Sequence, residues 1–195
     1  QPAAARRSIR CSRIGLPPAP GGGWDLVVAG SVLNELDPAS GQRLAAAAIG
    51  SVAHDGSLII VEPALRDTSR ALHRLRDWVL GAGLASVFAP CTRAIAPCPA
   101  LADERAWCHE DRATALPPQA ARIANATGLR GHGLKFAYLV LRKDGATLVD
   151  GEPGRHALRV VSHLDRAKGK ERCFACGEVG RVELRLLRRH RSASN

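Results

Sequence analysis

Apolar and polar positions in the first half of the chain follow strand-like and helix-like patterns in turn. The apolar run in "WDLVVAG", from Leu26 to Ala29, is continuous and therefore predicts a strand that is buried on both faces. The stretches "GSLIIVEPAL" and "ASVFAP" predict two further buried strands. Helical patterns separate the three strands, so we expect parallel pairing with right-handed crossovers in an open α/β sheet.

Two helices are predicted between these strands. Asp37 and Pro38 suit the cap and the first turn of the first helix. Asp67 or Ser69 is expected to cap the second helix. The apolar faces are predicted to be Leu44, Ala48, Ile49 and Val52 in the first helix and Leu72, Leu75, Trp78 and Val79 in the second.

The second half of the chain is less regular. It predicts a short helix over 118–126, a strand in "LKFAYLVLRKDG", and three strands in "RHALRVVS", "ERCFAC" and "RVELRLL". We therefore divide the chain into a linker at 1–23, an α/β unit at 24–150 that contains a cysteine-rich segment at 89–112, and a basic β-rich segment at 151–195.

The chain is strongly basic. Its 28 Lys and Arg against 18 Asp and Glu give a formal net charge of +10, which favours contact with polyanions such as nucleic acid. A GC-rich coding sequence would also produce an Arg- and Ala-rich chain, so that alternative stays open.

No apolar run reaches the roughly 18 residues of a membrane span, and we expect a soluble monomer without membrane contact. Because the chain starts at Gln1 and contains no Met, we expect it to be the C-terminal part of a longer protein.

Six cysteines are the strongest chemical signal, and three of them lie in "APCTRAIAPCPALADERAWCHEDR". Without a secretion signal, metal ligands or free thiols are better interpretations than disulfides. Zinc ligands usually pair about two to four residues apart, a rule that only Cys173 and Cys176 satisfy. Iron–sulfur clusters accept more varied spacing and often have a proline after a ligand, as at Cys98. Buried structural thiols are the plain alternative, with Cys11 as a bystander and His109 as a neighbour of the ligands.

Polar residues follow the predicted strands at the edge where ligands bind in open α/β sheets. Asn34 and Glu35 come after the first strand and Glu62 ends the second, so these three are candidates to line a nucleotide-cofactor pocket. Capping of the following helices explains them equally well. The sequence contains no Gly-x-Ser-x-Gly, His-Glu-x-x-His or Gly-x-x-x-x-Gly-Lys motif, so no hydrolase or phosphate-loop class is indicated.

Six features in a fixed order resemble the family of ribosomal small-subunit methyltransferase-like proteins. They are "DLVVAGSVLNEL", "LIIVEPA", "APCTRAIAPCP", "WCHEDR", "LKFAYLVLR" and a late cysteine before a glycine turn, between Trp24 and Leu187. The resemblance implies a class I S-adenosylmethionine methyltransferase fold, here a partial Rossmann-like sheet with a cysteine-rich insertion and a small C-terminal β segment. The glycine-rich loop and acidic residue that bind S-adenosylmethionine in this fold are expected upstream of Trp24. Glu110 stands where the family has an aromatic residue.

The resemblance also implies a four-iron four-sulfur cluster. By position, Cys91, Cys98 and Cys108 match three ligands and Cys176 matches the fourth, with Cys173 as a substitute. The implied role is in assembly of the small ribosomal subunit and in translation, with the subunit and its rRNA as partners. The implied location is the bacterial cytoplasm or, in a eukaryote, the mitochondrial matrix. By charge, the candidate RNA contacts are Lys168, Lys170, Arg172, Arg185, Arg188, Arg189 and Arg191.

Two alternatives remain open. An active rRNA methyltransferase would use S-adenosylmethionine as its cofactor and the cluster as a scaffold. A zinc-stabilised RNA-binding module without catalysis would use the same cysteines around one zinc ion.

Overall fold

A computed structural model describes residues 19, 21–93, 95–128, 133–150, 157–167 and 169–187. Two sheets and three helices make up most of these residues. In chain order, the strands are β1 (Trp24–Gly30), β2 (Val52–Pro63), β3 (Ser86–Ala89), β4 (Glu110–Arg112), β5 (Leu134–Arg142), β6 (Arg159–Val160), β7 (Asp165–Ala167), β8 (Lys170–Gly177) and β9 (Gly180–Leu187). The helices are α1 (Pro38–Ser51), α2 (Arg66–Gly81) and α3 (Pro118–Ala126), and short 3-10 turns span Leu33–Glu35 and Pro99–Ala102.

The first sheet has the strand order β1-β2-β5-β3, with β4 added to β5. β1 and β2 are parallel and α1 connects them, as predicted. The predicted direct pairing of β2 with β3 is wrong, because β5 lies between them and runs antiparallel to both. β3 still runs in the same direction as β2. The connection through α2 therefore leaves a gap of one strand between β2 and β3 in the sheet, and β5 occupies that gap. The result is an α/β fold with a mixed sheet, consistent with a Rossmann-like architecture.

One edge of β5 anchors both ends of the cysteine-rich segment. β3 pairs with residues 140–142 of β5, and β4 pairs with residues 134–136 on the same edge. The chain thus leaves the sheet at Ala89, forms the β3–β4 connection with three cysteines, and returns at Glu110. This connection is irregular apart from one 3-10 turn, so other elements must supply most of its hydrogen-bond partners.

α1 and α2 pack on one face of the first sheet, and the main core lies between them and the strands. Its buried members include Ala45, Ala48, Ile49, Leu58, Ile60, Leu72, Leu75, Val79, Val87, Leu139 and Leu141. The two-sided burial predicted for β1 is wrong, since Leu26 is 54% exposed and Val28 is 61% exposed. The register places these two side chains beside Ser57 and Ile59, on the face away from α1 and α2.

The helix boundaries follow local hydrogen bonding. Asp37 caps α1 as predicted, because its Oδ1 accepts from two backbone N–H groups at 3.0 Å each. The predicted caps of α2, Asp67 and Ser69, lie inside that helix, which begins at Arg66. α3 occupies the predicted range. No helix in the described part of the chain is long and apolar enough to cross a membrane.

The second sheet is built on β8. β9 pairs along one edge of β8, while β6 and β7 share the other edge, all antiparallel. The three strands predicted in this region correspond to β6, β8 and β9, and the β8–β9 hairpin turns at Gly180, which has a positive φ of 99°. β4 and β7 were not predicted, because "EDR" and "DRA" are short and polar and show no alternation.

Gly56 lies opposite the irregular register at the start of β1. A Cβ at this position would be 2.6 Å from the carbonyl oxygen of Trp24 and 2.9 Å from that of Asp25. We expect Gly56→Ala to lower the free energy of unfolding by roughly 1–3 kcal/mol, because the clash is with backbone atoms. Gly50→Ala is the control, since nothing lies within 4 Å of its Cβ and alanine stabilises α1 by up to about 1 kcal/mol. Equal effects of the two substitutions in urea unfolding would contradict this account.

Candidate metal centre

Four of the five described cysteines line one cavity beside β5. Cys91, Cys98 and Cys108 reach it from the β3–β4 connection, and Cys176 reaches it from β8. Cys173 does not line it. Side chains alternate along a strand, so two residues three positions apart point to opposite faces of β8. The structure therefore brings together the four predicted ligands and separates the predicted substitute from them.

The thiols of this cavity are buried or half-buried, and none forms a disulfide. Cys98 and Cys108 belong to a small apolar cluster around Val161. Burial raises the pKa of Cys98 and of Cys176, and it raises the pKa of Cys108 to about 12. These three thiols are neutral at pH 7 without a cation, so a bound metal would have to displace their protons.

α2 holds the β3–β4 connection through a row of polar side chains. Arg70 is buried, and its Nη1 donates to the carbonyl oxygens of Ala100, Asp103 and Ala106 at 3.0, 2.7 and 2.8 Å. Hydrogen bonds from a charged donor are stronger than those from a neutral one. Arg70 therefore fixes the turn between the second and third cysteines of the connection.

Two further side chains of α2 fix the backbone of the buried cysteines. Asp77 Oδ2 accepts from the N–H of Cys98 at 2.8 Å, and His73 Nε2 accepts from the N–H of Cys108 at 3.1 Å. The other oxygen of Asp77 pairs with Arg76 at 2.5 Å. Burial, together with neighbouring arginines, lowers the pKa of His73 to about 4. The imidazole is therefore neutral at pH 7, with Nε2 as an acceptor.

Arg76 places a positive charge against the thiols. It is 1% exposed and lines the cavity, and its Nη2 donates to the carbonyl oxygens of Arg93 and Ile95 at 2.7 and 3.0 Å. Its Nε is buried without a hydrogen-bond partner among the described residues. Burial lowers the pKa of Arg76, but its neighbours Cys91, Cys98 and Asp77 together raise it by more.

Sequence reasoning missed this polar row of α2. Its members are Arg70, His73, Arg76 and Asp77. Spacing of three or four residues places them on one side of the helix, next to the apolar stripe that faces the main core. The prediction used the apolar stripe alone. The available signal was a row of polar residues at helical spacing beside the apolar stripe. Such a row indicates that a second segment packs against the helix.

An ion pair joins the two sheets next to the cavity. Arg159 of β6 donates to Glu110 of β4, with 2.6 Å between Nη2 and Oε1, and Arg112 pairs with the other oxygen at 2.7 Å. Burial raises the pKa of Glu110, but the two guanidinium groups lower it by more, so the carboxylate is charged at pH 7. Glu110 thus forms a buried ion pair here.

Two hydrogen bonds join the first cysteine turn to the β8–β9 hairpin. The hydroxyl of Thr92 donates to the carbonyl oxygen of Cys176 at 3.3 Å. Arg93 donates through Nη1 to the carbonyl oxygen of Glu178 at 2.7 Å. The segment that carries Cys91 is therefore held to the strand that carries the fourth thiol.

His109 lies outside the cavity, and its ring stacks on that of Trp107 with 6.0 Å between centroids. Within the residues that the structure describes, no group of three or more His, Cys, Asp or Glu side chains is arranged to hold a single metal ion.

The predicted cofactor residues separate into two groups. Asn34 and Glu62 line a second cavity at the carboxyl ends of β1 and β2. Glu35 does not line it, and its Oε1 accepts from Asn34 Nδ2 at 2.7 Å. Glu62 Oε1 accepts from the N–H groups of Val32 and Leu33 at 3.2 and 2.9 Å. Glu62 therefore anchors the loop after β1.

Three of the predicted RNA contacts lie in the second sheet. Arg172 pairs with Asp165 at 2.7 Å, Arg185 pairs with Glu183 at 2.6 Å, and Lys170 is exposed at the start of β8. Acidic neighbours thus partly neutralise two of the three charges. The remaining predicted contacts lie outside the described residues, as does Cys11; they are Lys168, Arg188, Arg189 and Arg191.

The three carbonyl bonds of Arg70 give a test of the packing by α2. We expect Arg70→Met to lower the free energy of unfolding of the metal-free protein by about 2–4 kcal/mol, because buried carbonyl groups lose their donor. Arg66→Met is the control on the same helix, where the side chain is 55% exposed and the change should stay within about 0.5 kcal/mol. Urea unfolding followed by circular dichroism measures both. A loss at Arg70 no larger than that at Arg66 would show that these bonds do not stabilise the connection.

Comparison with known proteins identifies the family. The family described as mitochondrial small ribosomal subunit Rsm22 matches residues 1–194. A search of curated proteins found no match. The family match covers nearly the whole chain and confirms the resemblance to ribosomal small-subunit methyltransferase-like proteins. The chain therefore belongs to the mitochondrial small ribosomal subunit Rsm22 family.

Proposed function

We propose that this chain acts with the small ribosomal subunit as a methyltransferase-like protein and holds an iron–sulfur cluster on Cys91, Cys98, Cys108 and Cys176. The family supports the ribosomal part of the proposal. The observation that supports the cluster is the shared cavity of these four thiols, with Cys173 on the other face of β8. The two parts are tested separately below.

The donor set of the cavity fits a cluster. Iron–sulfur clusters are held by cysteine thiolates, four of them in the four-iron type. Each thiolate of that type binds a different iron, so the sulfurs stay further apart than around one zinc ion, where each lies about 2.3 Å from the metal. The four thiols that line the cavity supply the number of ligands that the four-iron type takes. Arg76 would balance part of the negative charge of the thiolates.

The cluster would have a structural role. Three of its ligands come from the β3–β4 connection of the first sheet, and the fourth comes from the second sheet. Metal–thiolate bonds at these positions would crosslink the two sheets beside the Glu110–Arg159 ion pair. Metal binding contributes directly to folding when its ligands come from separate segments.

The cluster is tested by anaerobic purification followed by iron, sulfide and zinc analysis and a visible absorbance spectrum. We expect stoichiometric iron and sulfide in the wild-type protein, and their loss in Cys98→Ser. Cys173→Ser is the matched control, because this half-buried thiol lies outside the cavity, and it should retain the metal. Colourless protein with one equivalent of zinc would favour the zinc module. Metal loss in Cys173→Ser but not in Cys176→Ser would refute the ligand set.

We further propose that the second sheet contacts rRNA of the small subunit. The net charge of +10 supports contact with a polyanion, and each phosphate contact contributes roughly 0.7–0.9 to the slope of log affinity against log salt. Glu183 opposes this contact, since it pairs with Arg185 and lies 3.9 Å from Arg172. Lys170 forms none of the ion pairs in the described part of the chain, although its charge, together with Arg185 and Arg172, lowers the pKa of Glu183.

Two substitutions with opposite expected effects test the RNA surface. We expect Glu183→Gln to tighten binding to a small-subunit rRNA fragment, because it removes a negative charge and releases the guanidinium group of Arg185. Lys170→Gln should weaken binding and reduce the salt slope by roughly 0.7–0.9. Filter binding across a salt series measures both. A flat salt slope, or the same direction of change in both variants, would argue against this surface.

The class I fold and its cofactor, S-adenosylmethionine, are also part of the proposal. The parallel β1–β2 pair supports it, with Asn34 and Glu62 near the carboxyl ends of these strands, where such folds bind ligands. The glycine-rich loop is expected upstream of Trp24. Methyl transfer to small-subunit rRNA that persists after that loop is disrupted would refute this role.

A further inference from the structure

Among the described residues, three arginines and no carboxylate line the cysteine cavity. The arginines are Arg76 of α2, Arg93 of the β3–β4 connection and Arg159 of β6. The nearby carboxylates of Asp77 and Glu110 pair with guanidinium groups, but neither lines the cavity. The wall of the cavity therefore combines the four thiols with positive charge, and it favours an anionic occupant.

Two of the three arginines are engaged or screened. Arg159 donates through Nε and Nη2 to Glu110 Oε1 at 3.2 and 2.6 Å, so a carboxylate balances its charge. Arg93 is half-buried and donates to the carbonyl oxygen of Glu178 in the β8–β9 hairpin. Solvent screens the charge of a half-buried side chain more than that of a fully buried one. Arg76, which is 1% exposed, is therefore the least screened cation of the wall.

Arg76 contacts the segment between the first two cysteines of the connection. Its Nη2 donates to the carbonyl oxygens of Arg93 and Ile95, which lie between Cys91 and Cys98 in the sequence. Burial lowers the pKa of Arg76, and the largest influences that raise it are those of Cys91 and then Cys98. The side chain thus acts on this part of the cavity in two ways, through its hydrogen bonds and through its charge.

Asp77 offsets part of the charge of Arg76. Its Oδ1 lies 2.5 Å from Arg76 Nη1, and its Oδ2 accepts from the N–H of Cys98 at 2.8 Å. One carboxylate is therefore shared between the guanidinium group and the backbone of a cysteine. Asp77 also raises the pKa of Arg76 less than Cys91 or Cys98 does. The positive charge that faces the thiols is reduced by Asp77 but not cancelled.

We propose that Arg76 is the counter-ion of the cysteine cavity: its charge, more than its hydrogen bonds, allows an anionic group to bind on the four cysteines. A buried anion requires a compensating charge, and a guanidinium group remains protonated throughout the physiological pH range. That the anionic group is an iron–sulfur cluster rests on the proposed function. The charge beside the thiols does not, because it belongs to the chain itself.

Two alkylating reagents of similar size measure this charge in the complete chain without metal. Iodoacetate is an anion and iodoacetamide is neutral, and with each of them the cysteine sulfur forms a bond to carbon while iodide leaves. The quantity measured is the ratio of the two rates at Cys91 and Cys176, at one pH and low salt, by peptide mass spectrometry. Cys173 is the reference thiol, because it is also half-buried but lies outside the cavity.

Charge and hydrogen bonding are separated by variants at Arg76 and Asp77. Arg76→Gln keeps an N–H donor without the charge, and we expect it to lower the preference for iodoacetate roughly three- to tenfold. Arg76→Lys keeps the charge and should stay within about twofold of the wild type. Asp77→Asn keeps the side-chain shape and removes the opposing charge, so it should raise the preference even if Arg76→Gln does not fold. The ratio at Cys173 should not change in any variant.

A purely structural role would not give opposite signs at these two positions. Equal ratios in the wild type and Arg76→Gln, or the same direction of change in Arg76→Gln and Asp77→Asn, would overturn the proposal.

Iron and sulfide content after anaerobic reconstitution is a second measurement, and it requires no reagent to reach a thiol. We expect Arg76→Lys and Asp77→Asn to keep the wild-type content and Arg76→Gln to lose at least about half of it. Equal content in Arg76→Lys and Arg76→Gln would contradict the role of charge. A wild-type protein without iron would instead refute the cluster, and the alkylation ratios would then decide the role of Arg76 alone.

Discussion

The hydrogen bonds from α2 to the β3–β4 connection are the constraint on which the rest of the structure depends. The connection is irregular, so its backbone groups need partners from elsewhere, and Arg70, His73 and Asp77 supply them. The opposite stripe of α2 is fixed in the main core by Leu72 and Val79. Because one helix joins the core to the connection, packing of the first sheet sets the backbone positions of Cys98 and Cys108.

Charge organises the cysteine cavity as strongly as packing does. Burial raises the pKa of Cys98, Cys108 and Cys176, whereas Arg76 opposes that effect at Cys98 and Cys176 and Arg159 opposes it at Cys108. The Glu110–Arg159 pair adds a charged link between the sheets that is internally balanced. A cavity with neutral thiols and a nearby guanidinium is suited to an anionic metal–thiolate group, because it stabilises that group while the empty site avoids buried negative charge.

The two cavities lie on different sides of α2. His73 and Arg76 face the thiols, whereas Leu72 and Leu75 face the cavity of Glu62. The residues of each site are interleaved along the same turns of one helix. A helix can serve two sites in this way because successive residues point about 100° apart, so neighbouring sequence positions reach different surroundings.

Local signals in the sequence determined every strand except β4 and β7, the capping of α1 by Asp37, and the presence of three cysteines in one irregular segment. Only the tertiary structure decided the insertion of β5 between β2 and β3, since the choice of strand neighbour depends on contacts distant in sequence. Only the tertiary structure likewise decided that Cys176 lines the cavity of the other thiols and that Cys173 does not. Alternation along β8 requires that they face opposite sides, but the packing of the second sheet against the connection decides which side meets the other thiols. The partners of the polar row of α2 also depend on the tertiary structure. A side chain that binds backbone carbonyl groups requires no particular residue type in the segment that it binds, so the sequence of that segment carries no signal.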